Sequence, residues 1–335
     1  MPKVTIDNIE IEVPEGTTIL QAARMIGERD KAHRHVVPPT MCYYSKLKTS
    51  GGYCRTCIVK VTKGSEKDPR PMPKPVASCR TAVMDGMVVE NTTNPELLDA
   101  RKGVTEFLLI NHPLDCPICD QAGECHLQDL GYEHGLSSSR YQFERRTFDP
   151  IDIGDTIKLH MNRCILCYRC VKVGEQLTDG RVHGVINRGD VAEISTYIQQ
   201  AVDNDFSGNM IDVCPVGALT DRTFRFASRV WFTQPVDAHR NCTKCSGKVV
   251  LWMKGEEVLR VTGRKDQWGE VEEFICNTCR FETKDKASWI VEGPRKIDRH
   301  SVIGQGHYER KLQQKLLDKA APDAPRIEPF NIHDR

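Results

Sequence analysis

Asn162-Arg163-Cys164-Ile165-Leu166-Cys167-Tyr168-Arg169-Cys170 decides how this chain is to be read. Three thiols in Cys-x2-Cys-x2-Cys spacing converge on one soft metal centre when the backbone turns tightly, and zinc sites rarely use three cysteines so spaced. A fourth thiol is needed. The next one downstream is Cys214, after 43 intervening residues, and Pro215-Val216-Gly217-Ala218-Leu219 follow it. Proline fixes the turn after that cysteine, and Gly217 lets another segment approach closely. Arg163 and Arg169 flank the run, where they either offset thiolate charge or lie solvated at the surface.

The remaining cysteines also fall into groups. Of 15 in 335 residues, those outside 164/167/170/214 sort by position into 42/54/57/79, 116/119/125 and 242/245/276/279, with none left over. An odd total fits poorly with complete disulfide pairing, which reducing compartments disfavour in any case. Met1-Pro2-Lys3-Val4-Thr5-Ile6-Asp7 reads as a strand without a signal-peptide core, so a reducing compartment is the expected location. Lys and Arg total 47 against 46 Asp and Glu, a balance that excludes a dominant nucleic-acid footprint. No apolar run approaches the ~20 residues of a membrane span. Gly-x-Gly-x-x-Gly after a strand, the P-loop and Gly-x-Ser-x-Gly are all missing, so no nicotinamide, flavin or nucleophilic site is evident. The chain reads as a metal protein without catalytic residues of its own.

Residues 1–93 read as a mixed α+β module. Val4–Ile6 and Ile9–Val13 form a hairpin about Asp7-Asn8, and Ile19, Leu20, Ala23 and Ile26 follow helical spacing up to a Gly27 C-cap. Ile58–Val61 and Met87–Val89 are strand-like. Gly51-Gly52 let the backbone wrap an inorganic core and aim N–H groups at sulfur, so Cys42, Cys54, Cys57 and Cys79 suit an iron–sulfur cluster better than a zinc ion. Asn94-Pro95-Glu96 opens a helix through Leu97, Leu98, Val104, Phe107 and Leu108 to about Asn111. Cys116, Cys119 and Cys125 lack a fourth donor, for which His112 and His126 are the candidates.

The spacing Cys42-x11-Cys54-x2-Cys57-x21-Cys79 resembles the 2Fe–2S domain that opens the large iron–sulfur subunit (the G type) of bacterial respiratory NADH:quinone oxidoreductase, complex I. The resemblance covers residues 1 to about 225 and implies a multi-module α+β protein. A β-grasp ferredoxin would occupy 1–93, and a small helical one-His, three-Cys 4Fe–4S module 94–135, with His112 joining Cys116, Cys119 and Cys125. A ferredoxin-like 4Fe–4S domain over 136–230 would use Cys164, Cys167, Cys170 and Cys214, one of two ancestral clusters having been lost. A β-rich four-Cys module, 231–290, resembles more loosely the small domain that opens molybdopterin oxidoreductases, and an arm spans 291–335. The chain would then be a short form without the molybdopterin-type domain.

The role implied is electron transfer within a larger enzyme. Single electrons would come from a flavoprotein NADH-oxidising subunit, pass through the iron–sulfur clusters to other peripheral-arm subunits, and go on toward quinone, with ion translocation coupled by the whole complex. The subunit would sit peripherally on the cytoplasmic side of the inner membrane, not as an independent homo-oligomer. Two rivals are the diaphorase iron–sulfur subunit of an NAD-linked hydrogenase or formate dehydrogenase, and a structural zinc or assembly protein.

The family pattern fails at Cys242, Cys245, Cys276 and Cys279. Relatives with a further cluster there have Cys-x2-Cys-x3-Cys and one distant cysteine, but this chain has Val249 at the third position and an additional Cys279. Two Cys-x2-Cys pairs remain, suited either to zinc or to another 4Fe–4S cluster. In the tail, Tyr308, Leu312, Leu316 and Ala320 make a helical stripe, and Pro322, Pro325 and Pro329 then break regular structure.

Overall fold

Asp7 and Asn8 both hold left-handed backbone, φ 44° and 70°, and so close a tight hairpin between β1 (Lys3–Ile6) and β2 (Ile9–Glu12). The structure is a computed structural model that describes residues 1–136, 138–141, 144–177, 183–196, 202 and 204–295. Helix α1 (Ile19–Arg29) starts from a Thr18–Gln21 capping box. It runs past Gly27 to an Asp30 cap. Gly27 instead lies where a Cβ would press on Trp268 at 3.2 Å and Val37 at 3.3 Å, so the glycine serves close packing.

Strands β3 (Ile58–Lys63), β4 (Val76–Ala77) and β5 (Met87–Glu90) complete a sheet ordered β2-β1-β5-β3-β4, with β1 and β5 parallel. Its core is Val4, Ile6, Val59, Val61 and Val89 against Ile19, Ala23 and Ile26 of α1. Helix α2 (Pro95–Leu109) begins as expected, Asn94 Oδ1 accepting from Leu97 N at 3.0 Å. Its packed face differs from the apolar stripe: Phe107 is 75% exposed, whereas Arg101 is 2% exposed. Arg101 donates to Ile58 O at 2.7 Å and to Asn91 Oδ1, which ties the helix to the first sheet. Helix α3 (His126–His134) packs on α2.

The next region contains β6 (Ile151–Asp152), β7 (Ile157–Leu159), α4 (Arg169–Leu177), the hairpin β8 (His183–Ile186) with β9 (Glu193–Thr196), the short α5 (Asn209–Val213) and β10 (Leu219–Asp221). The sheet β10-β7-β6 packs with α4 and α5 through Ile157, Leu159, Val173, Met210, Val213 and Leu219. Last come β11 (Gln234–His239), β12 (Lys248–Lys254), β13 (Glu257–Gly263) and β14 (Ile290–Pro294), an antiparallel sheet ordered β13-β12-β11-β14. β14 runs across the expected 290/291 module boundary. Val249 pairs with Ala238 and Gly263 inside this sheet and is fully buried, so the third cysteine position of the family motif is a core strand position here.

Among the described residues no helix is long and apolar enough to cross a membrane. The stripe from Tyr308 to Ala320 and the prolines beyond it lie outside the described residues.

Candidate metal centres

Cys42, Cys54, Cys57 and Cys79 are all buried. The loop before Cys54 turns through Gly51 and Gly52 at φ +98° and +88°, and a Cβ on Gly51 would stand 3.1 Å from Cys79 Sγ. Only glycine leaves that space beside the thiol. Tyr53 N and Cys54 N donate to Cys42 Sγ at 3.3 and 3.4 Å, while Cys57 and Cys79 meet at 3.3 Å. Hydrogen bonds with Cys54 and Cys79 pull Cys42 down to about 2, and one with Cys79 brings Cys57 to about 7. Thiolate is the ligating form, and Cys42 and Cys57 are shifted toward it, while the same sulfur contacts and burial push Cys54 and Cys79 up. The donor set fits a thiolate-held cluster.

In the second group Cys119 and Cys125 are buried and Cys116 is exposed. Gly217, from the segment after Cys214, faces Cys119 so closely that an added Cβ would collide with its Sγ. His112 presents a buried Nδ1 with no partner, and its carbonyl accepts from Arg145. The His126 ring instead packs on Gly269, where a Cβ would touch Cε1 at 3.0 Å, and its backbone N–H donates to Pro215 O at 3.2 Å. Burial, reinforced by Arg163, lowers His112 to about 4, and burial lowers His126 to about 3. Burial holds both rings in the neutral form, the form in which imidazole ligates.

Cys164, Cys167, Cys170 and Cys214 line one cavity together with Leu159, Ile194 and Ala218. Leu166 and Tyr168 take positive φ, 51° and 63°, uncommon for such side chains; these bends alternate with the cysteines of the run. Leu166 N donates to Cys164 Sγ at 3.3 Å. Burial pushes Cys167 up to about 12 and raises Cys164, Cys170 and Cys214 as well. Thiolates in so dry a socket would need positive charge at its centre.

The three groups converge. Met41, Cys42, Cys54, Cys125, Cys167 and Val216 share one apolar cluster. The flanking arginines, each 4% exposed, prove to be internal links and not solvated surface. Arg169 donates to Tyr43 O at 2.6 Å and Val213 O at 3.2 Å, joining the segments that carry Cys42 and Cys214. Arg163 donates to Asp115 Oδ2 at 2.9 Å, beside Cys116. Asp115 carries no signal in the sequence. Nor does Glu270, buried against Arg24 at 2.7 Å and joining the first and last modules.

The fourth group is built differently. Cys242–Cys276, Cys245–Cys276 and Cys245–Cys279 Sγ pairs are each 3.7 Å apart, and all four sulfurs lie within 4.8 Å of one another. Among the described residues no three donors of the other groups are that close.

Three families match the chain in succession. They are a 2Fe–2S iron–sulfur cluster binding domain at residues 2–94, the NADH-ubiquinone oxidoreductase-G iron–sulfur binding region at 101–140, and the NADH-quinone oxidoreductase subunit 3 ferredoxin-like domain at 154–220. The G subunit of NADH-quinone oxidoreductase from Rickettsia bellii is 40% identical over 285 residues, 84% of this chain and 38% of that protein. The chain is a relative of the large iron–sulfur subunit of NADH:quinone oxidoreductase. The 75 kDa subunit of NADH-ubiquinone oxidoreductase from Reclinomonas americana is likewise 40% identical, over 84% of this chain and 38% of its own length. The chain thus spans under two fifths of these curated relatives. Among solved structures, a chain of an NAD+-reducing [NiFe]-hydrogenase in the H2-reduced state superposes with TM-score 0.57 at 25% identity. That match covers 68% of this chain and 91% of the hydrogenase chain. This succession of iron–sulfur domains, with mixed helix and strand, establishes an iron–sulfur protein related to the large subunit of that oxidoreductase.

Proposed function

We propose that this chain is an electron-transfer subunit of an NADH:quinone oxidoreductase, receiving single electrons from a flavoprotein partner and passing them to other subunits toward quinone. The observation that carries this reading is the convergence of three cysteine groups on one apolar core. Tunnelling weakens steeply with distance, so carriers brought together in a water-poor core suit a relay. The first module is a β-grasp 2Fe–2S domain holding its cluster with Cys42, Cys54, Cys57 and Cys79. His112, Cys116, Cys119 and Cys125 hold one 4Fe–4S cluster, and Cys164, Cys167, Cys170 and Cys214 hold the other. Such clusters, when bound, supply one-electron redox chemistry. The protein's own part is to desolvate the thiolates, aim backbone N–H groups at sulfur and lock the modules through Arg163 and Arg169. Its place is the peripheral arm of a membrane complex, on the cytoplasmic side.

Anaerobic purification followed by iron, acid-labile sulfide and EPR analysis tests this. A brown protein should show one slowly relaxing 2Fe–2S and two fast-relaxing 4Fe–4S signals on reduction. His112→Ala should remove or alter one 4Fe–4S signal and spare the 2Fe–2S signal. A colourless protein containing only zinc would sink the proposal. The near-complete coverage of the hydrogenase chain favours a second reading, a diaphorase subunit. Copurification separates the two: an ion-pumping membrane arm supports the first, a nickel-containing subunit the second.

A further inference from the structure

Strands β11 and β12 pair up to His239 and Lys248, leaving Arg240–Gly247 as their connection. Arg240 N donates to Gly247 O at 3.2 Å, and Gly247 holds φ +68° against the Arg240 carbonyl, where a Cβ would collide. This loop presents Cys242 and Cys245. From the other side comes Cys276, followed by a single π turn, Thr278–Glu282, that carries Cys279. The two pairs therefore meet from separate elements, and their sulfurs close to 3.7 Å.

That spacing sets the nuclearity. Thiolates about 2.3 Å from a tetrahedral zinc ion lie about 3.8 Å from one another, the edge of the tetrahedron. A cubane carries each thiolate on a different iron and needs the four sulfurs farther apart, and among Cys164, Cys167, Cys170 and Cys214 no three sulfurs lie as close as these. A disulfide would bring two of the sulfurs to about 2 Å. Four thiolates leave no open position, the mark of a structural ion, and such sites bind zinc more tightly than ferrous iron.

We propose that Cys242, Cys245, Cys276 and Cys279 hold one structural zinc ion, and that this ion clamps the turn which positions α5 and, through it, Cys214. The connection is continuous. Arg280, directly after Cys279, is buried and donates to Asp212 Oδ2 at 2.5 Å, and Gly263 N donates to the same oxygen at 2.9 Å. Asn209, also on α5, accepts from Ile275 N at 3.1 Å and donates to Ile275 O at 2.8 Å. Asn277, between the two zinc cysteines, accepts from Gly208 N at 3.0 Å. Cys214 caps that helix, its N–H donating to Met210 O at 3.1 Å. The clamp rests on Cys214 being a cluster ligand; the zinc assignment does not.

The test is metal content with zinc-edge X-ray absorption on the whole chain, produced anaerobically with both metals supplied. One zinc per chain with a four-sulfur shell, beside about ten irons, is expected from clusters of two, four and four. No zinc overturns the assignment, whether iron reads about fourteen, about eleven from a single tetrathiolate iron, or about ten. Zinc present without iron would leave this assignment standing and fail the cluster reading instead. For the clamp, Cys245→Ser with Cys279→Ser should abolish zinc and lower iron from about ten to about six. Asp212→Asn, which keeps all four zinc cysteines, should retain zinc yet weaken only the EPR signal of the cluster at Cys214. An unchanged signal in Asp212→Asn overturns the clamp.

Discussion

Cys164, Cys167, Cys170 and Cys214 line a cavity, whereas the sulfurs of Cys242, Cys245, Cys276 and Cys279 all lie within 4.8 Å of one another, three of their pairs at 3.7 Å. Both sets have four thiols, and both use Cys-x2-Cys spacing. The difference comes from what carries them. In the third group, positive-φ residues at Leu166 and Tyr168 punctuate one continuous run, and the fourth thiol arrives on a separate helix end. In the fourth group the turn between β11 and β12 meets the π turn Thr278–Glu282 and the residues just before it. Ligand identity is thus shared, while the separation of the sulfurs differs.

The largest effect expected on the third side of this comparison is from Cys214→Ser. Iron should fall from about ten to about six per chain, with loss of one 4Fe–4S signal only. A Cys214 thiol that is free and alkylatable in the native protein would break the assignment. On the fourth side, Gly247→Ala forces a Cβ into a left-handed turn against Arg240 O. A cost of about 1–3 kcal/mol is expected. It should appear as faster zinc loss on dialysis against chelator, with about four irons, those of the Cys214 cluster, leaving only after the zinc; zinc held as firmly as in the unaltered chain would remove the turn's part in the site.

Smaller effects should come from the arginine links. Arg169→Met leaves Tyr43 O and Val213 O without a buried donor, at a cost of about 2–3 kcal/mol. Thermal unfolding should shift down by a few degrees, and the signals of the first and third clusters should change while the second does not. Arg163→Met should touch the second and third and spare the first. Identical spectra from both variants would remove the pairing of links to modules. The smallest effect is expected from His126→Ala: the ring packs on Gly269, so all cluster signals should persist.

Sequence patterns are informative here where local physics governs. The Asp7-Asn8 turn, the Asn94 cap with Pro95, and the division of cysteines into four groups each depend on neighbours along the chain. Gly27 reads as a cap because a glycine near a helix end normally is one. Only Trp268, some 240 residues away, reveals that the glycine is there to make room. The packed face of α2 escapes the pattern for a related reason: Arg101 is buried because carbonyl partners wait on another element, which no apolar periodicity records.

Which residues can ligate metal, and the family to which their spacing is related, are legible without coordinates, since Cys-x2-Cys turns and glycine loops are written in adjacent residues. Folding in three dimensions was needed to turn Arg163 and Arg169 inward, to make Val249 a strand core position, and to bring the last four sulfurs within 4.8 Å of one another. Those outcomes depend on contacts between segments distant along the chain. Closure entropy grows only slowly with such separations, so packing rather than spacing selects the geometry.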